Sequence, residues 1–325
     1  MGRREGCKLM RVALKKLSVV AGAFVMVVAA SAAWEFPYAT DDPLNREDAL
    51  REFYEMKWGP SSTAVKQSAY TDAARDARTI FDIPGRVRKF VETFELQDAR
   101  ILDVGSGAGY LQDTVSDYTG IDIASSAARF YHKPFVAGTA TAMPFEDGEF
   151  DAAWSIWVLE HIPNPEAALS EIRRVVRPGG LVYMAPAWHC KPWAAEGYEA
   201  RPYGDLGVGG KLIKGSIPLR SSLSFWLATI APARVVRSLT SGSGPTRLHY
   251  GRLTPNYEEY WQADSDAVNS LDSFEMALWF ESRGDTCLNC LDGWKRYLQP
   301  DAALVIRIGS KTAATAIPLT GDAHS

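Results

Sequence analysis

The chain has 325 residues, of which 46% are apolar and 23% charged, and a formal net charge of −4. That composition excludes a disordered or fibrous chain, and the length suffices for one large domain or two small ones. Charge is unevenly spread: residues 1–16 sum to +5 and residues 188–255 to +6, leaving −15 on the remainder. The acidic bulk argues against a nucleic-acid partner. A basic segment set in it fits an anionic ligand or a membrane surface, and equally a solvated face.

The N-terminus reads as a targeting or membrane-anchor segment over residues 1–34. Leu17 to Trp34 is apolar or small apart from Ser18, Gly22 and Ser31, and it follows a run holding Arg3, Arg4, Lys8, Arg11, Lys15 and Lys16. As a helix it would be about 27 Å long, close to bilayer thickness. Ala30-Ser31-Ala32 also has the small-residue pattern of a cleavage site. A cleaved presequence, an uncleaved anchor and a buried core helix all fit, so localisation stays open. The positive-inside rule would hold residues 1–16 in the cytoplasm and place the rest outside.

Residues 35–98 read as a helical cap, with amphipathic candidates at Asp48–Trp58, Asp72–Phe81 and Gly85–Leu96. From Arg100 the pattern becomes short apolar strands alternating with helices. Strands are expected at Arg100–Val104, Tyr118–Ile123, Pro134–Ala137, Phe150–Ile156 and Leu181–Ala185, with helices at Tyr110–Ser116, Ala124–Tyr131 and Pro165–Val176. The last is well marked: Asn164 can cap it, Pro165 suits its first position, and Gly179-Gly180 follows its basic last turn. After an interruption at 188–255 come a helix at Ser270–Arg283 and strands at Thr286–Leu291 and Ala303–Gly309. This alternation predicts an α/β fold, a doubly wound and mostly parallel seven-stranded sheet, over residues 99–309. The tail 310–325 is small and polar, hence loose. Cys287 and Cys290 form a lone C-x-x-C without the second pair a structural zinc site needs, so no metal is expected. In a strand, positions three apart face opposite sides, which makes them incidental core cysteines.

The chemistry-bearing motif follows the first strand. Ile101–Val104 runs straight into Gly105-Ser106-Gly107-Ala108-Gly109. Glycines at such a turn let backbone pass close to a ligand. A dinucleotide fingerprint would place its third glycine at position 110, where this chain has Tyr110. That disfavours a nucleotide-dependent oxidoreductase. Asp122, 17 residues past Gly105, fits the acid that reads a ribose in nucleotide-binding sheets.

The series ILDVGSGAGY, GIDIA, AMPFEDGEFDAAWS and WVLEHIPNPEAALSEIRRVVRPGG, in this order over Ile101–Gly180, resembles the core of the class I S-adenosylmethionine-dependent methyltransferases, in the branch that includes quinone-biosynthesis enzymes. The resemblance implies a Rossmann-like fold, S-adenosyl-L-methionine as cofactor, and methyl transfer by in-line displacement. It implies that Asp103 helps hold the cofactor's amino end and that Gly105, Ser106 and Gly107 approach its methionine and ribose parts. Asp122 would accept the ribose hydroxyls, Ile123 would pack on the adenine, and Ala140 would turn its backbone N–H toward that ring. Ser155 would lie where the fourth strand opens toward the methyl group. Thr139 departs from the family, which has an acid there to receive the adenine amino group; a hydroxyl accepts without charge assistance. That departure is the one feature favouring a non-catalytic binding protein of the same fold. The cofactor is cytosolic, in conflict with the orientation the N-terminal charges suggest.

An acceptor hydroxyl needs a base, and histidine is the usual choice near neutral pH. His161 and His189 follow the fourth and fifth strands, at the carboxyl edge where ligands bind, and His161 is the candidate base. The segment 188–255 is expected to lie over the acceptor as an inserted lid. Within it Leu219–Leu239 sets Leu223, Phe225, Trp226, Leu227 and Ile230 among Arg220, Arg234 and Arg237. This fits a small-molecule or lipid-like acceptor, with membrane contact through 17–34 and 219–239, or else a lid packed on its own domain.

Overall fold

The computed structural model describes residues 15–16, 18–20, 22–23, 47–59, 78–195, 197–242, 244–255 and 265–310. Most of the N-terminal segment 1–34 and nearly all of the tail 310–325 lie outside them. Among the described residues no helix is long and apolar enough to cross a membrane.

A seven-stranded sheet forms the centre. Its strands are β1 (Arg100–Val104), β2 (Asp117–Asp122), β3 (Phe135–Ala137), β4 (Phe150–Ile156), β5 (Val176–Ala185), β8 (Thr286–Cys287) and β9 (Leu304–Arg307). They lie in the order β3-β2-β1-β4-β5-β9-β8. The first five pair in parallel, and β9 runs antiparallel to both β5 and β8. The expected doubly wound, mostly parallel sheet is what the chain forms. A two-stranded ribbon, β6 (Gly251–Arg252) with β7 (Asn269–Ser270), stands apart from it.

The strand sequences explain why both faces are covered. Successive side chains point to opposite faces. Ile101, Ala152, Trp154, Leu181 and Tyr183 enter one core with Val87, Phe90 and Val91. Their neighbours Leu102, Ala153, Val182 and Met184 enter the other, with Leu169, Ile172, Trp279 and Phe280. A strand apolar at both parities needs a layer on each side. The first layer comes from α2 (Ile83–Thr93), the second from α3 (Pro165–Val175) and α7 (Ser273–Glu281). α3 starts as expected, with Asn164 accepting the Ala167 N–H at 3.1 Å. α2 begins two residues before the expected helix because Asp82 caps it, accepting from Gly85 N–H at 3.2 Å.

Several expected elements differ. Tyr110–Ser116 is not a helix but consecutive turns, closed by i to i+3 bonds such as Gln112 N–H to Gly109 and Thr114 N–H to Leu111. The chain must complete the glycine loop and start β2 within 12 residues, too few for a helical crossover. Ala124–Tyr131 is likewise a tight 3-10 helix, Ser125–Phe130. Strand β8 stops at Cys287, so the argument that positions three apart face opposite sides fails. The chain turns back there and Cys287 is disulfide-bonded to Cys290, with Cα atoms 5.5 Å apart.

Of the helical cap, α1 (Glu47–Trp58) matches the expected Asp48–Trp58. Of Asp72–Phe81 only residues 78–81 are described, and 78–80 are helical. The segment 188–255 contributes a short α4 (Pro192–Ala195), then α5 (Val208–Arg220) and α6 (Leu223–Thr240).

Candidate functional site

A cavity of about 780 Å³ opens at the carboxyl ends of β1, β2 and β4. That is within the roughly 300–1,000 Å³ of small-molecule sites. Asp103, Gly105, Ser106, Gly107, Asp122, Ile123, Thr139, Ala140 and His161 all reach its wall. Ser155 does not: it is buried within β4, its hydroxyl without a partner among the described residues. His189 also stands away, buried with Nε2 3.4 Å from Asp301 and 3.9 Å from Asp272.

The loop geometry requires its glycines. Gly105 has φ +73°, and a Cβ there would sit 2.4 Å from the Val158 side chain. Gly107 has φ +51°, and its Cβ would meet Trp58 at 3.0 Å. Both conformations are in the left-handed region that side chains avoid. The result is a bare backbone cradle facing the cavity. Gly107 donates its N–H to Asp122 Oδ2 at 2.8 Å, and Ala124 donates to Oδ1 at 3.0 Å. Each carboxylate oxygen keeps a lone pair for a ligand hydroxyl. Burial pushes the Asp122 carboxyl up, against those two amides and the nearby Lys57. Asp103 is more perturbed. Burial pushes it up to about 7, although Tyr118 donates to its Oδ2 at 2.8 Å. A buried acid of this kind favours a cationic partner that restores its charge. Thr139 Oγ1 lies 2.9 Å from Thr141 Oγ1 and accepts that residue's N–H at 3.3 Å.

His161 joins a polar group that sequence reasoning missed. Its Nδ1 is 3.3 Å from the Asp266 carbonyl and 3.6 Å from Asp266 Oδ2, and Nε2 is 3.7 Å from Glu160. Burial lowers the imidazole pKa, but Asp266 and Glu160 outweigh burial and leave it raised. Tyr54 of α1 donates to Asp266 Oδ2 at 3.3 Å and meets the His161 ring edge-on. Lys57, one turn on, is also buried; burial pulls its ammonium down to about 7 despite Asp266 and Asp122. Helix α1 closes over the site and is fastened to the segment that follows β2. Glu55 accepts the N–H groups of Ser125 and Ser126 at 2.7 and 3.0 Å, and Arg51 donates to the Ile123 carbonyl at 3.1 Å. The 3 to 4 residue spacing of Tyr54, Lys57 and Trp58 put them on one face of α1, but nothing local said that this face is the inward one.

Comparison with known proteins fits this geometry. A sequence model of a methyltransferase domain matches residues 102–184. The chain is 28% identical to a fatty-acid O-methyltransferase of Mycolicibacterium smegmatis, over 51% of this chain and 67% of that protein. It is 35% identical to an uncharacterized methyltransferase of Mycobacterium tuberculosis, over 48% of this chain and 66% of that protein. A ubiquinone biosynthesis O-methyltransferase of Dechloromonas aromatica is 32% identical, over 35% of this chain and 56% of that protein. The chain carries a class I S-adenosylmethionine-dependent methyltransferase domain. It spans between a third and two thirds of the length of the curated relatives it matches. In this methyltransferase the residues fit the family's cofactor: a glycine cradle with no room for Cβ atoms, a buried acid seeking a cation, and a second acid with lone pairs to spare.

Proposed function

We propose that this protein methylates a small, lipid-like acceptor and that His161 is the base. The observation that carries the reading is that one cavity joins the glycine cradle and Asp122 to His161. Leu50, Ile83, Pro84, Ile156 and Trp157 give it an apolar stretch of wall, alongside Lys57, Arg78 and Asn164. Asp103 would hold the cofactor's ammonium, Asp122 its ribose, and Ala140 and Ile123 would flank the adenine. S-adenosylmethionine supplies an electrophilic methyl group on a sulfonium and leaves as the neutral thioether. The protein then has to align the acceptor, exclude water and take one proton. His161 is placed to take that proton, and Asp266 and Glu160 would stabilise the imidazolium. α1 closes the site from solvent. The relatives include proteins named for fatty-acid and quinone O-methylation, which supports a lipid-like acceptor here.

Calorimetry with S-adenosylhomocysteine tests the cofactor half. Micromolar binding is expected, weakened at least tenfold in Asp122→Ala. A well-folded protein that binds no S-adenosylhomocysteine would end the reading.

A further inference from the structure

Three residues on the inward face of α1 meet different parts of the cavity. Tyr54 donates to Asp266, and its ring centroid is 6.3 Å from that of His161. Trp58 packs on the glycine cradle, where a Cβ on Gly107 would lie 3.0 Å from its ring. Lys57 stands between the two in sequence, 7% exposed, and lines the cavity with them. Its Nζ is 4.8 Å from the Tyr54 ring centroid and 4.7 Å from that of Trp58. The ammonium thus rests against both rings, one belonging to the base and the other to the cofactor cradle. It occupies the seam between the two halves of the site, which is where a methyl group has to cross.

Few charges share this wall. Among the described residues they are Lys57, Arg78, Asp103, Asp122 and His161. Arg78 is stacked on Tyr110, 3.3 Å from the ring centroid. Asp266 and Asp122 favour the Lys57 ammonium, while Arg78 and the His161 imidazolium oppose it. Burial still pulls it down to about 7, so the two acids compensate the cation only in part. This inference rests on the methyl-transfer reading of the cavity. On that reading the cofactor brings an ammonium to Asp103, ribose hydroxyls to Asp122 and a sulfonium to the seam. Asp266 stays with Tyr54 and His161. An incoming acceptor therefore meets Lys57 and His161 beside a sulfonium. A cationic amine is repelled there, and an oxygen that loses its proton is held.

We propose that Lys57 is a second catalytic residue, whose ammonium holds the acceptor oxygen while His161 takes its proton, and that the acceptor is a weakly acidic hydroxyl of phenol or enol type. The O–H bond breaks and its proton passes to the imidazole. The oxygen keeps the electron pair and forms the O–CH3 bond as the C–S bond breaks, that pair leaving on the neutral thioether. Lys57 neither gains nor loses a proton; it offsets the negative charge on oxygen before methylation. A carboxylate acceptor would bring no proton for His161.

The test follows 4-octyl-2-nitrophenol, whose anion absorbs visible light, on the full chain loaded with S-adenosylhomocysteine. Bound probe should ionise roughly one pH unit lower than in water, about a tenfold gain. Lys57→Met should remove that gain and weaken binding of the anion about tenfold, and Lys57→Arg should restore part of both. The probe's methyl ether, with no proton to lose, should bind parent and Lys57→Met alike, which separates charge from packing. The cationic 4-octylbenzylamine should bind the parent about tenfold more weakly than the nitrophenol does. S-adenosylhomocysteine affinity reports whether each variant is folded; if Lys57→Met is not, Lys57→Gln replaces it, and failing both, the measurements on the unaltered chain decide. A parent that leaves the nitrophenol unbound, binds it as the neutral phenol, or binds the amine as tightly overturns the proposal. So does a folded Lys57→Met that ionises the probe as the parent does, since His161 alone would then account for it. Failure to bind S-adenosylhomocysteine at all would instead end the methyl-transfer reading.

Discussion

As the proposed partner of the cofactor's ammonium, Asp103 should make cofactor binding pH-dependent in a calculable way. Burial raises its carboxyl from 3.8 to about 7. At 1.36 kcal/mol per pH unit, holding it ionised in the empty site costs roughly 4 kcal/mol. A ligand ammonium at that carboxylate offsets the cost, so binding favours the charged form. The ligand therefore competes with a proton below pH 7. With a pKa of about 7, S-adenosylhomocysteine should bind about tenfold more weakly at pH 6 than at pH 8, and at pH 7 about half a proton should be released per molecule bound. Calorimetry in two buffers of different ionisation enthalpy measures both. Tyr118→Phe removes the hydrogen bond that favours the carboxylate and should move the midpoint up. Asp103→Asn should bind weakly and flatten the profile, which separates Asp103 from His161 and Lys57. The same shift has a stability sign. Because the folded value is raised, this group's contribution is complete below the unfolded pKa and is lost as pH rises through about 7. The ligand-free protein should therefore lose stability between about pH 4 and 7 from this group, and saturating ligand should restore part of it. Equal affinity at pH 6 and 8 with no proton release would refute the assignment.

His161 has a raised pKa and, as a base, must be neutral to act. The kcat/KM profile should rise with pH through a midpoint above the ordinary imidazole value, and His161→Ala should abolish that limb while S-adenosylhomocysteine affinity is kept; full turnover in His161→Ala would exclude it as the base. Arg234→Met strands the buried Asp272 carboxylate and should cost about 3–5 kcal/mol in urea unfolding, with the double change Arg234→Met/Asp272→Leu recovering most of it.

What could be read in the chain was what is local. The glycine loop, Asp122 and His161 each sit where a strand ends, so a strand assignment alone brings them to one edge of the sheet. Lys57 and Asp266 reach that edge from far before and far after it in sequence, and a buried lysine has no signature among the many exposed ones. The misplaced helix at Tyr110–Ser116 has a physical cause too. Leu111 and Val115 are four apart and both buried, which is a helix's pattern, yet successive turns bury the same pair within a shorter span. The disulfide was missed because it depends on where β8 ends, and strand ends are set by the partner strand β9 rather than by Thr286 to Leu291 themselves.

Charge count shows this limit most clearly in α6. Three arginines near an apolar run suggest a basic, surface-seeking helix. The structure turns two of them into matched rungs: Arg234 and Arg237, three apart on α6, meet Asp272 and Glu275, three apart at the start of α7. Two rungs at the same spacing fix not only that the helices pack but which way α6 is rotated about its axis. A rotation of α6 that carried both arginines into solvent would leave two buried acids without their cationic partners, at several kcal/mol each. The two ion pairs therefore fix the rotation of α6 against α7, which no count of charges along the sequence shows.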